Sequence, residues 1–89
     1  MDEMLTNRAF LQVAESGSFS AASIKMDVSV ATVARQVNSL EAELGVKLMN
    51  RSTRALSLTE AGMLYAERIR DVMSDLDALK REVASYQKD

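Results

Sequence analysis

From Ser16 to Gly62 the chain is a run of short helical stretches, each closed by residues that cannot continue it. Gly17 ends a first helix, since glycine enters the left-handed cap conformation without a Cβ penalty. Gly17-Ser18-Phe19-Ser20-Ala21-Ala22 then starts a second helix, with Ser18 or Ser20 as its cap. Met26-Asp27-Val28-Ser29 makes a tight turn, Ser29 caps a third helix, and that helix stops at Gly45. A basic tip, Arg51-Ser52-Thr53-Arg54, leads into Leu58-Thr59-Glu60-Ala61-Gly62. Two short helices at a sharp angle followed by a cationic loop restrict the fold class severely. The expectation is a mainly α winged helix-turn-helix, three helices plus a small two-stranded wing. In such an arrangement one helix can enter a DNA groove while the loop lies on the neighbouring backbone.

The rest of the composition narrows the chemistry. Eighty-nine residues make one small unit, with no room for a large ligand cavity beside its core. Histidine and cysteine are both absent, which removes disulfides, thiol nucleophiles, the usual zinc sites and the commonest general base. Serines and carboxylates remain without a phosphate loop or ligand cluster, so no enzyme, metal or cofactor is expected. No apolar run approaches the ~20 residues that span a bilayer, and no signal-peptide pattern opens the chain. The chain is expected to be soluble and cytoplasmic, without membrane contact. The net charge of −2 is distributed unevenly: residues 25–58 hold five basic against three acidic side chains, while both flanks are acidic. A cationic tip on an acidic body can bind DNA locally and resist nonspecific adhesion.

Periodicity assigns faces to the helices. Asp2 can cap the first, whose apolar face is Leu5, Ala9, Phe10, Val13 and Ala14. Ala21, Ala22, Ile24 and Met26 include the buried side of the second. In the third, residues 30–44, the spacing of Val33, Val37, Leu40 and Leu44 makes one buried stripe. The opposite arc carries Ala31, Thr32, Arg35, Gln36, Asn38 and Ser39, with no acid before Glu41. Ordinary outer faces favour Lys and Glu, so this arc suits an anion. Val46 to Met49 and Leu56 to Leu58 flank a wing at residues 50–55, with Leu48, Leu56 and Leu58 turned inward. Two arginines three apart at its tip can straddle a minor groove or clamp phosphates.

The last segment, residues 59–89, reads as a separate dimerisation helix after a DNA-binding unit at 1–58. Thr59 can cap it, with Glu60 near its positive end. Tyr65, Ile69, Val72, Leu76, Leu79, Val83 and Tyr86 are spaced four, three, four, three, four, three, a heptad seam. Its start packs on the chain's own core, and from Ile69 onward a partner helix is expected.

Residues 4–62 resemble the N-terminal winged helix-turn-helix domain of LysR-type transcriptional regulators, and the remainder resembles their linker helix. The residues that carry the likeness are Phe10, Val13, Gly17 to Ala22, Val28-Ser29, Val33, Arg35-Gln36-Val37, Leu40-Glu41 and Glu43-Leu44-Gly45-Val46. They continue through Leu48, Arg51 to Arg54 and Leu58 to Gly62. The resemblance implies a bacterial transcription factor that binds an interrupted inverted repeat in double-stranded DNA as a dimer or tetramer. It implies antiparallel linker helices and a larger effector-binding domain. That domain is missing here, so the chain is expected to be an excised fragment.

Position by position, the family commonly opens its third helix with Ser-Gln-Pro where this chain has Ser29, Val30 and Ala31. A hydroxyl residue often precedes the Arg-Gln pair, and here it is Ala34. Met49 stands where an aromatic is common. Val30 and Ala31 can touch thymine methyls but offer no side-chain hydrogen bond. The resemblance puts Arg35 on the DNA backbone, with Arg51 and Arg54 on the wing. The expected DNA-binding residues are therefore Ser29, Val30, Ala31, Thr32, Arg35, Gln36, Arg51, Thr53 and Arg54. A rival reading keeps only the seam: a dimerising fragment that pairs with a full-length regulator without productive DNA binding.

Overall fold

The computed structural model describes residues 2–52 and 56–87. Helices α1 (Glu3–Ser16), α2 (Phe19–Met26) and α3 (Val30–Leu44) form the head, followed by strands β1 (Met49–Arg51) and β2 (Leu56–Leu58). The long helix α4 (Glu60–Ala84) comes last and runs into a 3-10 turn at Ser85–Gln87.

Local chemistry sets each boundary. Asp2, Ser18, Ser29 and Thr59 cap the four helices, each side chain accepting a backbone N–H from the first turn at 2.9 to 3.1 Å. Gly17 and Gly45 close α1 and α3 at φ of 83° and 72°. Asp27 closes α2 at φ 58°, an excursion that the short polar side chain of aspartate tolerates better than most.

The core lies where α1, α2 and α3 cross, with Phe10, Val13, Ala22, Val33, Val37 and Leu40 almost fully enclosed. Leu48 and Met49 close it from the wing side, so Met49, where an aromatic is common, packs in the core. The core extends past residue 58 into α4: Ala66 is buried, and the Tyr65 ring meets Phe10 edge-on at 5.7 Å. The Tyr65 hydroxyl donates to Asn7 Oδ1 at 2.6 Å. Further along α4, buried Met73 borders a cleft with Arg8, Leu11, Gln12 and Met26. Gly62 is required by close approach: a Cβ there would run into the Leu48 carbonyl oxygen.

Three expectations are corrected. Ile24 is not on the buried side of α2; it is 81 % exposed, and Ala22 and Ser23 do the packing. Leu5 and Leu44 sit at the rims of their stripes and are substantially exposed. The first wing strand begins at Met49 rather than Val46. Its antiparallel register pairs Met49 with Leu58, Asn50 with Ser57 and Arg51 with Leu56.

Candidate nucleic-acid interface

Helix α3 presents its N-terminal turns to solvent. Ser29, Val30, Ala31 and Arg35 are exposed and Thr32 is half-buried, so five of the expected residues share one surface. They are also tied together. Thr32 N–H donates to Ser29 Oγ at 3.1 Å, the two hydroxyl oxygens lie 2.9 Å apart, and Arg35 Nη2 donates to Thr32 Oγ1 at 3.2 Å. The chain of contacts steps along one helix face at intervals of three residues. It holds the Arg35 guanidinium beside the positive end of α3, where an anion is favoured.

Gln36 does not belong to this surface. It is only 7 % exposed, and its Oε1 has no hydrogen-bond partner. The reason is helical spacing: residues 33, 36, 37 and 40 fall on one stripe, so the side of α3 that buries Val33 and Leu40 takes Gln36 with it.

The wing is fastened to α3 by Glu41. This carboxylate, 6 % exposed, accepts the Leu48 and Met49 N–H groups through Oε2 at 2.8 and 3.2 Å. Its Oε1 accepts Arg51 Nη2 at 3.3 Å, with Lys47 Nζ at 3.7 Å. Arg51 Nη1 donates to Asn38 Oδ1 at 2.6 Å, and the guanidinium lies 5.2 Å from the Phe19 ring centroid. Arg51 is thus a brace between wing, α3 and α2 as well as a cation near the wing. Glu41, Asn38 and Phe19 were not singled out as site residues from the sequence. The first acid after the acid-free start of α3, beside a basic hairpin, was the available signal. Thr53 and Arg54, also expected at the wing, lie outside the described residues.

The seam of α4 divides in two. Tyr65, Ile69 and Leu76 are half-buried, while Val72, Leu79 and Val83 are exposed, as is Tyr86, which lies beyond α4 in the 3-10 turn. Burial pushes the Tyr65 phenol above its ordinary pKa, and the negative charges of Glu43 and Glu3 act in the same direction.

Residues 6–63 match the model of the bacterial regulatory helix-turn-helix protein, lysR family. The chain belongs to the LysR family. Among LysR relatives, the HTH-type transcriptional regulator CrgA of Neisseria meningitidis is 45 % identical over 74 residues, 83 % of this chain and 25 % of that protein. The HTH-type transcriptional activator AaeR of Escherichia coli is 36 % identical over 86 residues, 97 % of this chain. The chain spans 28 % of AaeR's length. Among solved structures, the complex of the BenM DBD with catB site 1 DNA superposes with a TM-score of 0.94 at 26 % identity, covering 99 % of both chains. The CbnR DBD–DNA complex gives 0.91 at 32 % identity, over 98 % of this chain and all of that one. The winged helix-turn-helix with its trailing α4 is therefore the LysR DNA-binding domain fold, as the sequence led one to expect.

Proposed function

We propose that this LysR-family chain is the DNA-binding part of a bacterial transcriptional regulator. Helix α3 reads the major groove, and the wing lies on the minor groove or the adjoining backbone. The chain acts as a homodimer through α4 on an inverted-repeat operator, in the cytoplasm and without a catalytic step. The observation that carries this reading is the exposed, acid-free start of α3. Ser29, Val30, Ala31, Thr32 and Arg35 form one surface in a fold that superposes on LysR domains solved with DNA.

Within that surface the roles differ. Val30 and Ala31 can meet thymine methyls, and Thr32 offers one hydroxyl to a base edge. Arg35 is placed for phosphate. Arg51 contributes charge at the wing root while it remains bound to Glu41 and Asn38. Arg54 is proposed as the wing-tip contact. The uncovered seam of α4 fits equally well a dimerising fragment that does not bind DNA, but an acid-free α3 face would have no purpose in such a fragment.

Selection of bound sequences from random duplex DNA tests the proposal. The expected result is an enriched inverted repeat whose half-sites carry a T-containing step opposite Val30 and Ala31. No enrichment from a chain that dimerises would overturn it in favour of the rival.

A further inference from the structure

Where the exposed face of α3 meets the wing, one side chain is oriented by its neighbour. Asn38 lies in the third turn of α3 and is exposed. At about 100° per residue it falls within about 20° of Ala31 and about 60° of Arg35, on the side toward Glu41. It therefore shares the face that carries Ala31 and Arg35, at the border with the wing. Arg51 Nη1 donates to Asn38 Oδ1 at 2.6 Å. A guanidinium has only donors, so the amide has one allowed orientation: oxygen toward Arg51, N–H2 away from it. Arg51 is itself bound to Glu41 Oε1 and lies over the Phe19 ring, so the amide is held against a fixed partner. Asparagine forms helix less readily than alanine, so an exposed place in the interior of α3 gives it no advantage for the helix itself.

We propose that Asn38 is a further DNA-contacting residue: its amide N–H2 donates to a phosphate oxygen at the edge of the major groove on the wing side, in the orientation that Arg51 imposes. This rests on the DNA-binding reading above and adds to it a contact that carries no charge. Two features select phosphate over a base edge. Reading adenine takes the oxygen and the nitrogen of an amide together. Here the oxygen already serves Arg51, which leaves the donor end. Asn38 also stands two turns beyond Val30, about 12 Å along the axis at ~1.5 Å per residue. With the first turn of α3 among base edges in a groove about 12 Å wide, a side chain that far along reaches the rim, where phosphates lie. A phosphate oxygen asks only for a donor, and a hydrogen bond to a charged acceptor is among the stronger ones.

Duplex binding by the parent and by Asn38 variants tests this, measured across salt concentrations and well below the unfolding midpoints. Two probes are used, a mixed-sequence duplex and the duplex enriched from random DNA. Asn38→Ala should weaken binding to both by about tenfold, with the slope of log affinity against log salt unchanged, because no counterion-releasing charge is lost. The bases it selects should not change. Asn38→Asp keeps an acceptor for Arg51, so it should unfold no earlier than the parent. It sets a carboxylate against phosphate, however, and should weaken binding on the order of 10²-fold. Asn38→Lys should tighten binding at low salt and steepen the slope by about one phosphate's share, a gain that misfolding cannot mimic. Parent-like affinity in Asn38→Ala or Asn38→Asp, or relaxed base preference in Asn38→Ala, would overturn the phosphate contact and leave the DNA-binding reading standing. A parent that binds neither duplex would overturn both.

Discussion

Removing the Glu41 carboxylate would strand the Leu48 and Met49 N–H groups and leave the Arg51 guanidinium with Asn38 alone as an acceptor among the described residues. Two buried amides left without an acceptor cost about 1–3 kcal/mol each, so Glu41→Ala should lower the unfolding free energy by about 3 kcal/mol in urea titration. Arg51→Ala should be destabilising too, whereas Arg35→Ala should not, because Arg35 holds only the exposed Thr32 hydroxyl. Arg35→Ala should lower DNA affinity and flatten the slope of log affinity against log salt by about one phosphate's share. An unchanged slope would remove Arg35 from the phosphate contacts. Gln36 gives the opposite test. Its buried oxygen lacks a partner, so Gln36→Leu should leave the thermal midpoint unchanged or raise it and should not alter the selected base sequence. Relaxed preference at one base pair would return Gln36 to the reading set. Tyr65 adds a pH dependence. Its folded pKa is raised, so its contribution is complete below the ordinary phenol value near ~10 and is lost as pH rises through the folded value. Alkaline urea titrations should show that loss in the parent and not in Tyr65→Phe.

At the scale of elements, helix propensity and packing disagree at Gly62. Alanine is the better helix former by about 1 kcal/mol. A methyl at this position meets the Leu48 carbonyl, which is backbone and is held in place by the Thr59 N–H at 3.0 Å. Thr59 binds the same corner again, its hydroxyl donating to Lys47 O at 2.7 Å. The junction between α4 and the stretch before β1 is therefore closely packed and inelastic. Gly62→Ala should lower the thermal midpoint by several degrees, the change expected of ~1 kcal/mol or more in a domain of this size. A raised midpoint would mean that α4 can draw away from Leu48 without loss. The wing behaves as a dependent element: two three-residue strands cannot stand alone in water, and Glu41 and the core contacts of Leu48 and Met49 hold them.

For the whole molecule, the proposed homodimer rests on the ridge of α4. The far end of α4 projects from the head and gives the chain a 55 × 26 × 21 Å outline. Leu79 lies there, exposed, so Leu79→Lys should leave the unfolding midpoint of the separated monomer where it was and abolish the dimer in sedimentation. DNA binding should then fall from that of two linked half-sites toward that of one, a loss on the order of 10²-fold or more. Undiminished operator affinity in a monomeric Leu79→Lys chain would show that α4 is not what couples the half-sites.

What could be read from the sequence was whatever a few neighbouring residues decide among themselves. Asp2, Ser18, Ser29 and Thr59 cap helices, and Gly17 and Gly45 end them, through hydrogen bonds and φ values that span at most four residues. The seam of α4 was legible for a related reason: a heptad repeat is a property of one helix, whatever covers it. The acid-free start of α3 was legible as a list of residues. Tertiary structure decided which of those residues face outward. Periodicity already places Gln36 on the stripe of Val33, Val37 and Leu40, but it fixes relative angles around a helix and not the direction from which neighbours approach, so Ile24 turned outward against expectation. Contacts that join distant stretches carried no local signature. Glu41 reaching the Leu48 and Met49 amides, Arg51 spanning Asn38 and Phe19, and Gly62 lying against Leu48 exist because α3, the wing and α4 converge on one corner. That convergence is a consequence of packing three helices around Phe10, Val37 and Leu40, which only the folded chain brings together.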